Sequence, residues 1–491
     1  GADSGWRTDH QNLYSFYREI GCPERPINQW IQEQQWDKHH EEQPAFIVPP
    51  VALLGSGTSG LTYQPGTGFA INCKDSFLAC DYQGDPAASG IWAFSLEQKG
   101  AGLRMANARK FHWGAAVTDV EFGYDGRLYV ADFVKGWKAQ AAGRIYTLSS
   151  EDSLSAPRTR EVADLLGRER ISQLPPRELF ELMKHPDFRV RLRAQLALVN
   201  RPEAIPYFIN ATRQNENRHL ALHGVWGLWI KARRSQSEAS RDHLVELLGH
   251  PEEEIRSQAA RALGEAPLQD HGRLVSSLQD PSTRVRAFAA SSLARLRAPS
   301  AFIPTLVLLA ENADKDPYLR HAGVVSLTGS GSVEQIAALA SHPNKSIRLA
   351  AVVALRRLRS PEVVRFFFDE EHPAISDEAI RAAHDVPIEK ARPAVAALLD
   401  EYAPEQGGRP LSRMMLRRLL HSAFRAGGPR NAARLLRAAA NETLDLNERL
   451  EALRLLSLWT DPPKVDQSLG RYAPLAPRDL AEIKPTLEQE I

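Results

Sequence analysis

The chain has 491 residues, 43% of them hydrophobic and 25% charged, so it is long enough for two or three folded domains. Its 61 Lys+Arg nearly balance 60 Asp+Glu, which argues against a nucleic-acid footprint; that normally shows as a basic excess. No run approaches the roughly 18 apolar residues that a membrane-spanning helix needs, and no charged-then-apolar leader opens the chain.

The first predicted elements have a period near two. SGLTYQPG (Ser59–Gly66), SFLACDY (Ser76–Tyr82), GIWAFSL (Gly90–Leu96) and LRMANARKFHW (Leu103–Trp113) read as four strands separated by turn residues. A second set comes next: VTDVEFG (Val117–Gly123), a turn at Asp125-Gly126, RLYVADF (Arg127–Phe133) and GRIYTLS (Gly143–Ser149). The first set makes one four-stranded sheet. The second stops at three strands, leaving an edge that protein from outside this sequence is expected to pair.

Helix is expected from near Arg158, and 151–173 reads as a linker. Beyond it a string recurs at intervals of about thirty residues: HPDFRVRLRAQLAL (His185–Leu198), HPEEEIRSQAARAL (His250–Leu263), DPSTRVRAFAASSL (Asp280–Leu293), DPYLRHAGVVSL (Asp316–Leu327) and HPNKSIRLAAVVAL (His342–Leu355). Such self-similarity means stacked helical hairpins. Each Pro suits a first helical turn, and the preceding Asp or His is expected to cap it. Ile255, Ala259, Ala262 and Leu263 recur at helical spacing and form an inward face. Arg191, Arg256, Arg286 and Arg348 stand five residues after their Pro, Arg320 three after its own, and the five predict a ladder along one edge. The ladder either ties adjacent repeats together or offers a phosphate-binding edge; the neutral charge balance favours the tie. The basic stretches Arg413–Arg418 and Arg430–Arg437 read as solvated faces. These marks resemble HEAT repeats over 174–460, an architecture that serves as a scaffold in unrelated systems. Residues 461–491 read as a C-terminal tail.

The β region resembles a second family. GADSGW (Gly1–Trp6), SGLTY…FLACDY…GIWAFSL and DVEFGYDGRLYVADF…GRIYTL (Asp119–Leu148) look like the last blades of the glucose/sorbosone dehydrogenase propeller. The version in putative membrane-bound dehydrogenases of planctomycetes is most similar; there HHEEQPAFIVPP (His39–Pro50) and the closing blade recur, and HEAT repeats come after them. The resemblance implies a multidomain β plus α chain. Residues 1–150 would be the C-terminal blades of a β-propeller, succeeded by the all-α HEAT solenoid, with further blades upstream of Gly1 or on another chain. It implies sugar or polyol oxidation with pyrroloquinoline quinone on the propeller's top face, in a periplasmic or cell-envelope setting. The catalytic His of those relatives lies on an early blade, outside this sequence. Their cofactor cations, a Lys after the FLACDY-like strand and an R-x-R before the closing DV, fall here on Gln83–Ser89 and Ala116–Thr118, which carry none.

The remaining site candidates are His39, His40, Glu42 and Gln43 in DKHHEEQ, together with His112, Asp119 and Asp132. Adjacent histidines on an extended chain point opposite ways, so His39 and His40 make a poor metal pair. Asp119 and Asp132 flank the DG hairpin, a place where Asp more often stabilises a turn. Trp92, Trp113 and Trp137 are expected to pack between blades, and GSGTSG (Gly55–Gly60) precedes a strand, not a helix, so it is no phosphate loop. Cys73 and Cys80 either pair across a turn, leaving Cys22 odd, or all three are buried thiols. No C-x-x-C-H haem motif or paired C-x-x-C zinc framework is present. Two functions compete on these grounds. One is the end of a propeller dehydrogenase joined to a scaffold for a protein partner or electron acceptor; the other is a non-catalytic interaction scaffold.

Overall fold

The computed structural model describes residue 33 and residues 51–52, 54–136, 142–167, 170–214, 216–266, 270–369, 372–401 and 412–490. Within them the chain is helix-rich with a β part at the front. It forms two compact units that divide between Leu308 and Leu309, inside the span expected to be one solenoid. The β strands and the first helices therefore belong to one unit.

The β part holds two antiparallel sheets. Strands β1 (Thr58–Tyr63), β2 (Phe77–Asp81), β3 (Gly90–Lys99) and β4 (Gly102–Trp113) lie in sequence order, as do β5 (Val117–Phe122), β6 (Leu128–Asp132) and β7 (Arg144–Leu148). Alternation assigns the faces. Leu78, Cys80, Ile91 and Ala93 of the first sheet meet Val117, Val120, Leu128 and Val130 of the second in one dry core. The approach is close because β1 lies on β5: a Cβ on Gly60 would sit 2.6 Å from the Asp119 Cα, and Thr62 Oγ1 donates to Glu121 Oε1 at 3.3 Å. The opposite face of the first sheet carries a row of aromatics. Tyr63 packs on Phe77 and Phe77 on Phe94, with ring centroids 4.8 and 5.5 Å apart, while Leu61 beside them is 60% exposed.

The sheets are joined tightly to the first helices. Residues 151–173, expected as a linker, form helices Glu151–Ser155 and Pro157–Gly167 and a 3-10 turn. The DG turn of the β5–β6 hairpin fits against them, since a Cβ on Gly126 (φ +83°) would lie 2.7 Å from the Thr159 methyl. Asp187 completes the joint. Wholly buried, it caps helix Phe188–Val199 through the Arg189 N–H (2.9 Å), accepts the Thr67 hydroxyl from the β1–β2 loop and binds the Arg189 guanidinium at 2.8 Å. Arg189 in turn donates to the Phe122 and Gly123 carbonyls at the end of β5 (2.7 and 3.2 Å).

Successive helices Phe188–Val199, Arg218–Ser235, Glu253–Leu263 and Thr283–Arg295 are neighbours in the rest of the first unit. Gly224 and Gly227 admit Phe208 from helix Ala204–Thr212; a Cβ on Gly227 would meet its ring at 2.4 Å. The expected inward positions Ile255, Ala259, Ala262 and Leu263 are all buried, as are Val285, Ala289 and Leu293 at the same places in the next copy. In the second unit, helices Pro317–Ser330, Lys345–Leu358, Pro373–Asp385 and Arg413–Ala426 succeed one another in the same way. No strand occurs among the described residues of 174–460, and no described helix is long and apolar enough to cross a membrane. The segment expected as a tail is packed. It contains the β8–β9 hairpin (Val465–Asp466 with Arg471–Tyr472), and Ile483 joins Trp459, Leu420 and Leu435 in the core.

Candidate functional site

The repeated string builds one local device several times over. In HPD, HPE and HPN the His ring Nδ1 accepts the N–H two residues on, from Asp187, Glu252 and Asn344 at 3.0–3.1 Å. The helix cap is the residue after the Pro: Asp187, Glu252, Ser282 and Asn344. This corrects the expectation that the residue before the Pro caps, which holds only for Asp316, where Pro317 is the first helical residue. The extra residue arises because Pro in the other copies sits one step outside the helix. The Arg then folds back onto the turn. Arg191 donates to the carbonyls of His185 and Pro186, Arg256 to those of His250 and Pro251, Arg348 to those of His342 and Pro343, and Arg286 to that of Asp280, all within 3.2 Å.

Two of these guanidinia also reach the next repeat. Arg256 binds Asp280 through two bonds of 2.8 and 2.9 Å, and Arg348 binds Asp369 at 2.6 Å. Arg320 pairs with Asp314 at 3.5 Å. Arg256 and Arg286 thus converge on Asp280, along one edge. These cations are engaged by carbonyls and carboxylates of the fold; Arg256 and Arg348 reach the following repeat, as a tie requires, while Arg191 and Arg286 bond to their own turns and Arg320 to Asp314 just before its own helix.

A second ladder had no signal in the repeat pattern. Gln195 bonds His223 (2.6 Å), Trp226 donates to Gln258 (3.2 Å), and Arg284 binds Glu254 (2.7 Å), each step crossing from one helix to the next. Burial, with Arg191 and His219 nearby, pushes His223 down to about 3.

The β-part candidates do not assemble. His112 is exposed on β4, Asp119 Oδ1 accepts the adjacent Val120 N–H (2.9 Å), and Asp132 Oδ1 accepts Val134 N–H (2.9 Å). Asp125 holds the hairpin turn through the Arg127 N–H and side chain. His39, His40, Glu42, Gln43, Trp137 and Cys22 lie outside the described residues. Among the described residues no three His, Cys, Asp or Glu stand together as metal ligands. Trp92 and Trp113 meet edge-on at 5.4 Å on the aromatic side of the first sheet. Cys73 and Cys80 are free and buried in the inter-sheet core, where burial pushes their thiols up to about 11 and about 12.

The loops that the dehydrogenase resemblance assigns to quinone carboxylates do not fit them. Gln83–Ser89 closes on itself: Asp85 caps a 3-10 turn by accepting Ala87 N–H, and the Ser89 hydroxyl donates to the Asp85 carbonyl. Its one ionisable group, Asp85, is an anion and would repel a carboxylate. Ala116 and Val117 are fully buried, so that stretch presents no cation either.

The second unit contains a polar centre that sequence reasoning missed. Arg418 is wholly buried and binds both carboxylates of Glu33 (3.1 and 2.6 Å) and Asp385 (2.9 and 2.8 Å). This corrects the reading of Arg413–Arg418 as a solvated face at Arg418, and Arg434, buried against Asp400 at 2.6 Å, corrects that of Arg430–Arg437 at its centre, while Arg413, Arg430 and Arg437 are exposed as expected. A helix one side of which packs must neutralise each cation on that side. Burial disfavours the Asp385 carboxylate, but Arg418 and His384 outweigh it and hold its pKa low.

Beside it, Ser468, His384 and Asp385 are spaced like a nucleophilic triad: Ser468 Oγ lies 3.2 Å from His384 Nε2, and His384 Nδ1 2.8 Å from Asp385. The geometry alone does not make a nucleophile. Ser468 Oγ donates to Asp466 at 2.7 Å, so its proton points away from the imidazole, and the residue is fully buried. Asp466 is held at about 2: burial opposes ionisation, and Arg425 at 3.1 Å chiefly overcomes it. The cluster locks the β8–β9 hairpin onto its helices. A separate open cleft of about 370 Å³, lined by His342, Pro343, Arg348, Arg365, Phe368 and Asp369, surrounds one rung of the arginine ladder.

No family model matches the chain, and no curated protein matches it. Among solved structures it is similar to YIBA_ECOLI, at 16% identity over 60% of this chain and 96% of that one, with a TM-score of 0.28. An engineered protein is similar at 18% identity over 62% of this chain and 91% of that one, with a TM-score of 0.29. Scores that low carry no argument about fold or function.

Proposed function

We propose that the chain is a non-catalytic docking scaffold in which a HEAT-type helical array carries the closing sheets of a larger β assembly. The carrying observation is the outer face of the first sheet, where exposed Leu61 and Tyr63 continue the partly buried Phe77 and Phe94 as an apolar row that Phe188 covers at the Tyr63 end and that leaves Leu61 against water. Among the described residues, the candidate carboxylates Asp119 and Asp132 are meanwhile engaged by backbone N–H groups, and His384, Asp385 and Ser468 by a buried structural network. Protein partners on the helical repeats, and a periplasmic or cell-envelope setting, belong to the same reading.

A second reading has one observation in its favour. The four-plus-three strand arrangement agrees with the last blades of a propeller dehydrogenase of the glucose/sorbosone type, with sugar or polyol oxidation performed by blades not included here. The two readings separate in quinone retention: the purified chain is mixed with pyrroloquinoline quinone and calcium and passed over a sizing column, since the dehydrogenase resemblance places quinone contacts on Gln83–Ser89 and Ala116–Thr118 within this chain. The scaffold reading expects no quinone to travel with the protein; stoichiometric retention overturns it.

A further inference from the structure

Strand β7 pairs with β6 on one side and, among the described residues, with no strand on the other. The sister sheet shows the completed arrangement: β3, third in its sheet as β7 is in the second, is covered by antiparallel β4 from Gly90 to Lys99. Natural edges are protected by proline, bulges or inward charges. β7 (RIYTL) has no proline and its register with β6 runs without a bulge; its one inward charge is Arg144 at the start of the strand, and Ile145 on the other face is 74% exposed.

Register fixes what such an edge would accept. Leu148, Tyr146 and Arg144 lie opposite the buried Leu128, Val130 and Asp132, so these three point to the core side of the sheet, and Ile145 and Thr147 to the other. Leu148 packs against the inter-sheet core, Tyr146 is half-exposed, and the Arg144 guanidinium has the Tyr146 hydroxyl at 3.0 Å but no carboxylate in ion-pair range among the described residues. We propose that the β7 edge is a docking site for one antiparallel strand of a partner polypeptide, apolar opposite Leu148 and Tyr146 and acidic opposite Arg144. Read from its own N-terminus, that strand has the pattern apolar-x-apolar-x-acid.

A second copy of this chain fits less well. Two β7 strands paired about Tyr146 would set each Arg144 against Leu148 of the other, with no carboxylate for either guanidinium. The partner strand is therefore of different sequence. This inference rests on the scaffold reading and names one surface of it.

The test uses the full chain and a labelled synthetic peptide centred on Val-Thr-Ile-Thr-Glu, with a second peptide ending in Lys in place of Glu, monitored by fluorescence anisotropy. Wild type is expected to prefer the Glu peptide by about tenfold or more, and Arg144→Glu to reverse the preference. Arg144 is exposed, so the variant keeps the fold, which amide exchange of β5 and β6 checks. The Glu peptide should also slow amide exchange at 144–148. No binding of either peptide up to about 1 mM, or equal preference in both proteins, overturns the proposal. So does concentration-dependent dimerisation that Ile145→Asp abolishes, which would put a second copy on the edge. A chain that ignores both peptides and also retains no quinone loses the strand site while the scaffold reading stands.

Discussion

Replacing Asp187 should loosen the sheets and the first helices together. The buried carboxylate caps helix Phe188–Val199, accepts Thr67 from the β1–β2 loop and neutralises Arg189, whose other bonds hold the end of β5. Asp187→Ala forfeits the cap, about 1 kcal/mol, and leaves the half-buried guanidinium without its carboxylate, about 3 kcal/mol. The sum, about 4 kcal/mol, is a large share of the stability of a unit this size and lowers its Tm by roughly 10 °C. Asp187→Asn keeps an acceptor for the cap and should lose about half as much. Burial works against the Asp187 charge, but Arg189 holds its pKa below the ordinary carboxylate value. Its contribution is therefore present above pH 4 or so and fades as pH falls, and the gap between wild type and Asn should close in acid. Amide exchange read by mass spectrometry checks the coupling: segments 117–132 and 188–199 should lose protection to the same extent. Native protection of 117–132 beside a frayed 188–199 would refute the joint.

Three further outcomes rest on the buried groups. His223 is pushed down to about 3 in the folded chain, so below its ordinary value near 6.5 the unfolded chain takes a proton that the native state refuses. Between pH 7 and 5 that should cost the first unit about 2 kcal/mol, and His223→Gln should flatten that part of the pH dependence in urea titrations; parallel curves for the two proteins would contradict it. Cys73 and Cys80, with thiols raised to about 11 and about 12 in a dry core, should resist iodoacetamide at pH 8 until denaturant is added. Stoichiometric labelling of either in the native protein would place it outside the core. Arg418→Met leaves Glu33 and Asp385 without their shared cation and should destabilise the second unit by about 3–5 kcal/mol, whereas replacing a solvated arginine changes stability by less than about 0.5 kcal/mol; thermal unfolding separates these.

Local chemistry decided which features were legible in the sequence. Strand positions came from alternation and DG-type turns, and the buried set Ile255, Ala259, Leu263 came from helical spacing, because period and turn residues act within a few positions of one another. The arginine ladder was visible because the same offset from Pro recurs. Its chemistry was only partly so: that Arg256 meets Asp280 depends on how one repeat lies on the next. In four copies the cap was misplaced by two residues, since both the residue before Pro and the one after it can accept an N–H and only backbone geometry assigns the roles. Arg418 looked solvated because its stretch is basic; its partners Glu33 and Asp385 stand 385 and 33 residues away. Asp187 carried no sign of its second duty, since the Thr67 contact spans 120 residues. Long-range pairing leaves no periodic trace.

Isothermal titration of the purified chain with pyrroloquinoline quinone in the presence of calcium tests the central claim, that the β part docks protein and holds no quinone. With Asp85 the one ionisable group of Gln83–Ser89 and Ala116 and Val117 buried, no saturable heat is expected below about 1 mM. A one-to-one isotherm with micromolar affinity would contradict it and return the dehydrogenase reading to first place.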